Sequence, residues 1–122
     1  MDDIYRDELM DIYKDPAHRG SMEEPSVEME KKNPLCGDVI NIQLAVADGK
    51  LADIKFDGAA CAVSVISAEL LAEELIGKTI KEAKNMTKDD LLDLLDLDLT
   101  TSRVKCATLI LDALHGALEI YE

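Results

Sequence analysis

Two alternating runs on either side of Asp48-Gly49 constrain this chain more than any other feature. From Val39 to Ala47 apolar residues recur at Ile40, Ile42, Leu44 and Val46, and from Leu51 to Asp57 they recur through Ile54 and Phe56. A period of two turns one face of each run toward a core, and Asp-Gly supplies the residues that a two-residue hairpin turn favours. The runs therefore predict a β-hairpin, which Gly58 ends just before Cys61. Upstream, Val27, Met29 and Lys31 alternate with Glu28, Glu30 and Lys32 as a weak edge strand.

Helical spacing takes over on both sides. Ile4, Tyr5, Leu9, Ile12 and Tyr13 stripe a first helix from Asp3 to Lys14, acidic at its start and stopped by Asp15-Pro16. From Ala62, residues Val63, Ile66, Leu70, Leu71, Leu75 and Ile76 form a stripe that Gly77 closes. Thr79, and Thr87 with Asp90, then cap short helices through Lys84 and Leu95. Val104, Ala107, Leu111, Leu114, Leu118 and Tyr121 mark a last helix starting near Ser102. A helix, about three strands and then helices predict an α+β fold, a small antiparallel three-stranded sheet with helices packed on one face, in a single domain over residues 1–122.

Charge narrows the function. Thirteen Lys and Arg against 26 Asp and Glu leave a net charge of −13, which works against binding nucleic acid or an anionic membrane surface. No apolar run approaches the ~20 residues that span a bilayer. The acidic N-terminus lacks the apolar stretch of a signal peptide, so a cytoplasmic location is expected. With no Trp and one Phe, the core must come from Leu, Ile, Val, Ala and Met. No phosphate-binding glycine loop occurs, Ser64 and Ser67 face no Asp–His pair, and the methionines form no copper motif.

The three cysteines, Cys36, Cys61 and Cys106, each sit where one element gives way to another. In a reducing compartment they are ligands, nucleophiles or buried hydrophobes rather than a disulfide framework. Cys61 precedes a helix, and Cys106 is expected in the first turn of the last one, where the dipole and free amides stabilise a thiolate. Asp38 follows Cys36 across Gly37 and adds a hard oxygen donor. Three thiolates and a carboxylate suit a tetrahedral zinc, or the irons of a small cluster. The spacing is wide and carries no CxxC pair, so three inert core thiols are the alternative that spacing leaves open.

Other residues have two readings each. Lys105 is an auxiliary ligand, an aid to thiolate formation at Cys106, or an ordinary charge. Arg103 anchors Asp38 or a persulfide, or is a surface residue. His18 is expected to be solvated, and His115 lies more than two turns beyond Cys106, out of reach of its site. The acidic, Leu-rich run Asp89–Leu99 is an amphipathic helix with a solvated acidic face, or a surface for a basic partner.

Asn33-Pro34-Leu35-Cys36-Gly37-Asp38, Gly58-Ala59-Ala60-Cys61-Ala62-Val63-Ser64 and Arg103-Val104-Lys105-Cys106-Ala107 resemble the three signature segments of the IscU/SufU (NifU N-terminal-like) family. Ile12-Tyr13-Lys14-Asp15-Pro16-Ala17-His18-Arg19-Gly20 is similar to the family's N-terminal stretch, and the likeness runs in order along nearly the whole chain. It implies an iron–sulfur cluster assembly scaffold, non-enzymatic in itself. A cysteine desulfurase would deliver persulfide sulfur, iron would bind, and a 2Fe–2S cluster would form for transfer to acceptor proteins. An electron donor such as a ferredoxin, and a homodimer, go with that role. By resemblance Cys36, Asp38, Cys61 and Cys106 hold the metal, and zinc is an alternative occupant. Cys106, for its expected helix terminus and two basic neighbours, and then Cys36, for its SufU-like context, are the candidate persulfide acceptors. Lys105 stands where IscU proper has a histidine, and Arg-x-Lys-Cys is like the SufU branch. That branch carries an insertion between its second and third cysteines, where this chain has only residues 62–105. The alternatives are a zinc-dependent SufU-type sulfurtransferase and a structural zinc interaction domain.

Overall fold

Asp48 and Gly49 both adopt positive φ, 55° and 75°, as a tight turn between twisted strands requires. The computed structural model describes residues 3–33, 37–96, 99 and 101–121, with side chains from residue 7 in the first helix and from residue 103 in the last. Its elements are α1 (Asp3–Lys14), β1 (Val27–Lys32), β2 (Val39–Ala47), β3 (Lys50–Asp57), α2 (Ala62–Leu75), α3 (Ile80–Asn85), α4 (Lys88–Leu95) and α5 (Thr101–Tyr121). The strands form one antiparallel sheet in the order β1-β2-β3. None of the described helices is long and apolar enough to cross a membrane.

The hairpin carries a bulge. Ala45 pairs with Asp53 but Val46 with Leu51, so Ala52 is an extra residue on β3. Leu51 and Ile54 are an odd number of residues apart and would face opposite ways in a regular strand. The bulge reverses that parity, and Leu51, Ile54 and Phe56 are all fully buried beside Ile40, Ile42 and Leu44. Against this face pack α2 and α5, through Leu71, Leu111 and Leu114 among others. A smaller cluster of Leu9, Ile66, Leu95 and Ala107 joins α1, α2, α4 and α5.

Because α2 is covered on two sides, its burial departs from the expected stripe. Val63 and Leu70 are only half-buried, whereas Ser64, Ser67 and Glu69 are buried. The Ser67 hydroxyl donates to the Ala107 carbonyl of α5, and small side chains let the two helices approach closely. Tyr121, placed on the apolar stripe of α5 by spacing alone, is exposed. The short helices form as their caps dictate. Thr79 with Glu82, and Thr87 with Asp90, make complete capping boxes.

Candidate functional site

Three segments meet at one end of the sheet: the β1–β2 loop, the β3–α2 loop and the second turn of α5. Gly58 shapes the β3–α2 loop. Its φ is +135°, and a Cβ there would lie 2.1 Å from the Val39 carbonyl oxygen, so only glycine passes this close to β2. The Val39 N–H then donates to the Ala59 carbonyl at 2.9 Å. Cys61 arrives at the N-cap of α2 in extended backbone, with no cap hydrogen bond from its side chain. In the β1–β2 loop, the Asn33 N–H donates to the Asp38 carbonyl and the Gly37 N–H to the Asn33 carbonyl, each at 2.8 Å. Cys36, the first expected ligand, lies outside the described residues.

One ligand atom from each of Asp38, Cys61 and Cys106 lies within 4.8 Å of the others. Asp38 and Cys106 are buried, Cys61 is half-buried, and Cys61 and Cys106 are free thiols. Asp38 Oδ1 accepts the Cys61 N–H at 3.2 Å, and Oδ2 accepts the Ser64 hydroxyl at 2.7 Å. Ser64 Oγ is also 2.9 Å from the Cys106 carbonyl oxygen and 3.7 Å from Cys61 Sγ. Asn33 Nδ2 stands 4.0 Å from Cys106 Sγ, near the limit of a hydrogen bond to sulfur. A thiolate pair with a carboxylate is a borderline-soft donor set that fits zinc or iron better than magnesium or calcium.

One expectation about this site fails. Helix α5 begins at Thr101, so Cys106 falls in its second turn rather than its first. Free amides and the dipole's effect are confined to the first turn, so neither reaches this buried thiol. Lys105 is exposed beside Lys32 and Lys88 around a shallow hollow that Asn33 also lines, and Arg103 is exposed on α5. Ser64 and Asn33 were not singled out by sequence as partners of the site. For Ser64 a signal exists, because a position three residues after Cys61 shares its helical face.

A second cluster lies farther along α2. His18, expected to be solvated, instead meets the buried carboxylate of Glu69, with Nδ1 2.6 Å from Oε2 and the backbone N–H 2.8 Å from Oε1. Glu73 stands beside this pair, its pKa raised first by burial and then by hydrogen bonding and repulsion from Glu69. Next to His18, Arg19 reaches Asp57 and the Gly58 carbonyl, bracing the loop to Cys61. The Gly58 N–H, and then Arg19, hold the Asp57 carboxyl below the ordinary value. His115 belongs to neither metal-capable cluster among the described residues.

The family model described as the NifU-like N terminal domain matches residues 4–122. A zinc-dependent sulfurtransferase, SufU of Bacillus subtilis, is 33% identical over 132 aligned positions, covering 94% of this chain and 89% of the relative. An iron–sulfur cluster assembly scaffold protein, IscU 1 of Archaeoglobus fulgidus, is 32% identical and covers 97% of this chain and 76% of its own. Among solved structures, a candidate iron–sulfur cluster assembly scaffold for the SUF system from Fervidobacterium islandicum superposes with a TM-score of 0.74 at 29% identity, over 90% of this chain and 93% of the other.

Proposed function

The chain belongs to the family of NifU-like N-terminal domains, and from that premise we propose that it is a scaffold which accepts persulfide sulfur from a cysteine desulfurase, binds iron, builds a 2Fe–2S cluster and passes it to acceptor proteins. The observation that carries this proposal is the convergence of Asp38, Cys61 and Cys106 from three separate segments. Cys36 completes the donor set, since it is tied through Gly37 to Asp38.

Sulfur arrives by thiol–persulfide exchange. A thiolate of this chain attacks the outer sulfur of the donor's persulfide, a new S–S bond forms, and the donor cysteine leaves as a thiolate. Cys106 is buried, which argues for Cys36 as the first acceptor and Cys106 as the second. Each transferred sulfur needs two electrons to become sulfide, hence a reductant such as a ferredoxin. Asp38 acts as the exchangeable oxygen ligand that lets the cluster leave, while Lys105 and Arg103 give the exposed approach to Cys106 positive charge. The setting is cytoplasmic, and a cluster bridging a homodimer is compatible with three cysteines per chain.

A second reading, zinc-dependent sulfur relay without a cluster, is favoured by the likeness to the Bacillus subtilis sulfurtransferase and by Lys105 in place of a histidine. Anaerobic reconstitution with iron(II), cysteine and a cysteine desulfurase separates the two. A stoichiometric 2Fe–2S spectrum that transfers to an apo-acceptor supports the scaffold. Retained zinc, strong stimulation of the desulfurase and no cluster would replace it with sulfur relay. A structural zinc domain would instead unfold when its metal is chelated.

A further inference from the structure

We propose that Ser64 is a positioning residue of this site, holding the Asp38 carboxylate through Oδ2 in the orientation it presents to a metal ion; this rests on the metal-binding role proposed above. Ser64 is buried, so no bulk water competes for its hydroxyl. That hydroxyl has one proton and two oxygen acceptors, Asp38 Oδ2 at 2.7 Å and the Cys106 carbonyl at 2.9 Å. A hydrogen bond to an ionised carboxylate is roughly twice as strong as one between neutral groups, so the proton goes to Asp38. The Cys106 carbonyl lies inside α5, where the helix supplies its own donor.

Oδ2 accepts the Ser64 hydroxyl at 2.7 Å, and Oδ1 accepts the Cys61 N–H at 3.2 Å. The pivot itself is firm. Ser64 stands in the first turn of α2, and Ser67, on the next turn, binds α2 to the Ala107 carbonyl. The same hydroxyl is 3.7 Å from Cys61 Sγ, so one small side chain lies within 4 Å of all three described members of the site. Stitching α2 to α5 does not by itself require Ser64, because Ser67 already does so. What Ser64 adds is its grip on the carboxylate.

The test is a double-mutant cycle on the full chain, read as zinc affinity by chelator competition. The variants are Ser64→Ala, Asp38→Ala, the pair together, and Ser64→Thr. Ser64→Ala should weaken zinc binding by about ten- to a hundredfold, the usual cost of losing an outer partner of a metal ligand. It should add little once Asp38 is alanine, because the lost interaction is already gone. Ser64→Thr, which keeps the hydroxyl, should restore affinity, and the visible bands of the cobalt(II) form should shift in Ser64→Ala and return in Ser64→Thr. An equal loss in both backgrounds, or no loss with Asp38 intact, would reduce Ser64 to a helix stitch and overturn the proposal while leaving the metal site standing. A wild-type chain that binds neither zinc nor cobalt would overturn the metal site and this proposal together. If Ser64→Ala fails to fold in thermal melts of the apo-protein, Ser64→Val, which is isosteric with Ser64→Thr but lacks the hydroxyl, is read against Ser64→Thr by the same criteria.

Discussion

Two polar clusters hang on α2 about two turns apart, and they differ in the donors they bring together. Each brings three metal-capable groups within 4.8 Å: Asp38, Cys61 and Cys106 at the start of the helix, and His18, Glu69 and Glu73 farther along. In the second cluster both oxygens of the buried Glu69 are taken by His18, one by its backbone N–H and one by its ring. That cluster is closed, and it fastens the loop before β1 to α2. In the first, Cys61 and Cys106 form no disulfide, and the Cys61 side chain makes no cap hydrogen bond. Proximity of ligand types is thus common to both; what separates the two is the donor set, thiols with a carboxylate in the first and a hydrogen-bonded imidazole–carboxylate pair in the second.

The sharpest way to break this contrast is to disturb the loop that feeds the first cluster. Gly58→Ala forces a Cβ to within 2.1 Å of the Val39 carbonyl at a backbone angle that alanine resists. Urea denaturation should show a loss on the order of 3 kcal/mol or more, with zinc binding impaired. Unchanged stability and affinity would show that the loop has another route to Cys61. Next comes His18→Ala, which removes the ring partner of the buried Glu69 Oε2 while keeping the backbone N–H, and should cost about 2 kcal/mol in the same assay. Zinc stoichiometry should stay at the wild-type value, and a drop would mean that the second cluster binds metal after all.

Cys61→Ser should give the reverse outcome. Serine is a good N-cap, so apo stability should hold or rise by about 0.5 kcal/mol, while cluster formation and zinc affinity collapse. A folded variant that still reconstitutes a full cluster would remove Cys61 from the site. Asp38→Ala should weaken zinc about tenfold or more and lengthen the lifetime of a reconstituted cluster against transfer. Faster release would reverse the role given to Asp38.

The smallest effect is electrostatic. The pKa of Glu73 is raised above 4.5, so its proton is held more tightly in the folded chain. Its favourable contribution is present below the ordinary value and is lost as pH rises through the raised one. Glu73→Gln should therefore be slightly more stable than wild type at neutral pH, with the gain fading as pH falls toward 4.5 and below. A gain that persists unchanged at acid pH would deny the carboxyl this role. Glu73 is exposed, so the effect should be small.

The parts of the molecule that were legible share a cause. Helix α1, the hairpin turn and the capped helices α3 and α4 formed where spacing and capping residues placed them, because a cap or a turn is settled among residues three or four positions apart. The bulge at Ala52, the burial of Ser64 and Glu69 and the capture of His18 were not legible. Each depends on a surface from a distant part of the chain: β2 beneath Leu51, α5 against Ser64, and the loop before β1 against Glu69. Cys106 shows how narrow the margin is. Its helix was expected, yet a small error in the start moved it from a dipole-favoured first turn to a buried second turn.

By itself, then, the sequence determined the order of helices and strands, the turn at Asp48-Gly49 and the chemistry of the donors, since these follow from side-chain identity and short-range periodicity. Only the tertiary structure decided which donors meet. Asp38, Cys61 and Cys106 are far apart along the chain, and only the packing of α2 and α5 on one sheet face brings their ligand atoms within 4.8 Å. The same packing excludes water from Ser64 and Glu69, so that each buried polar atom must find its partner within the protein.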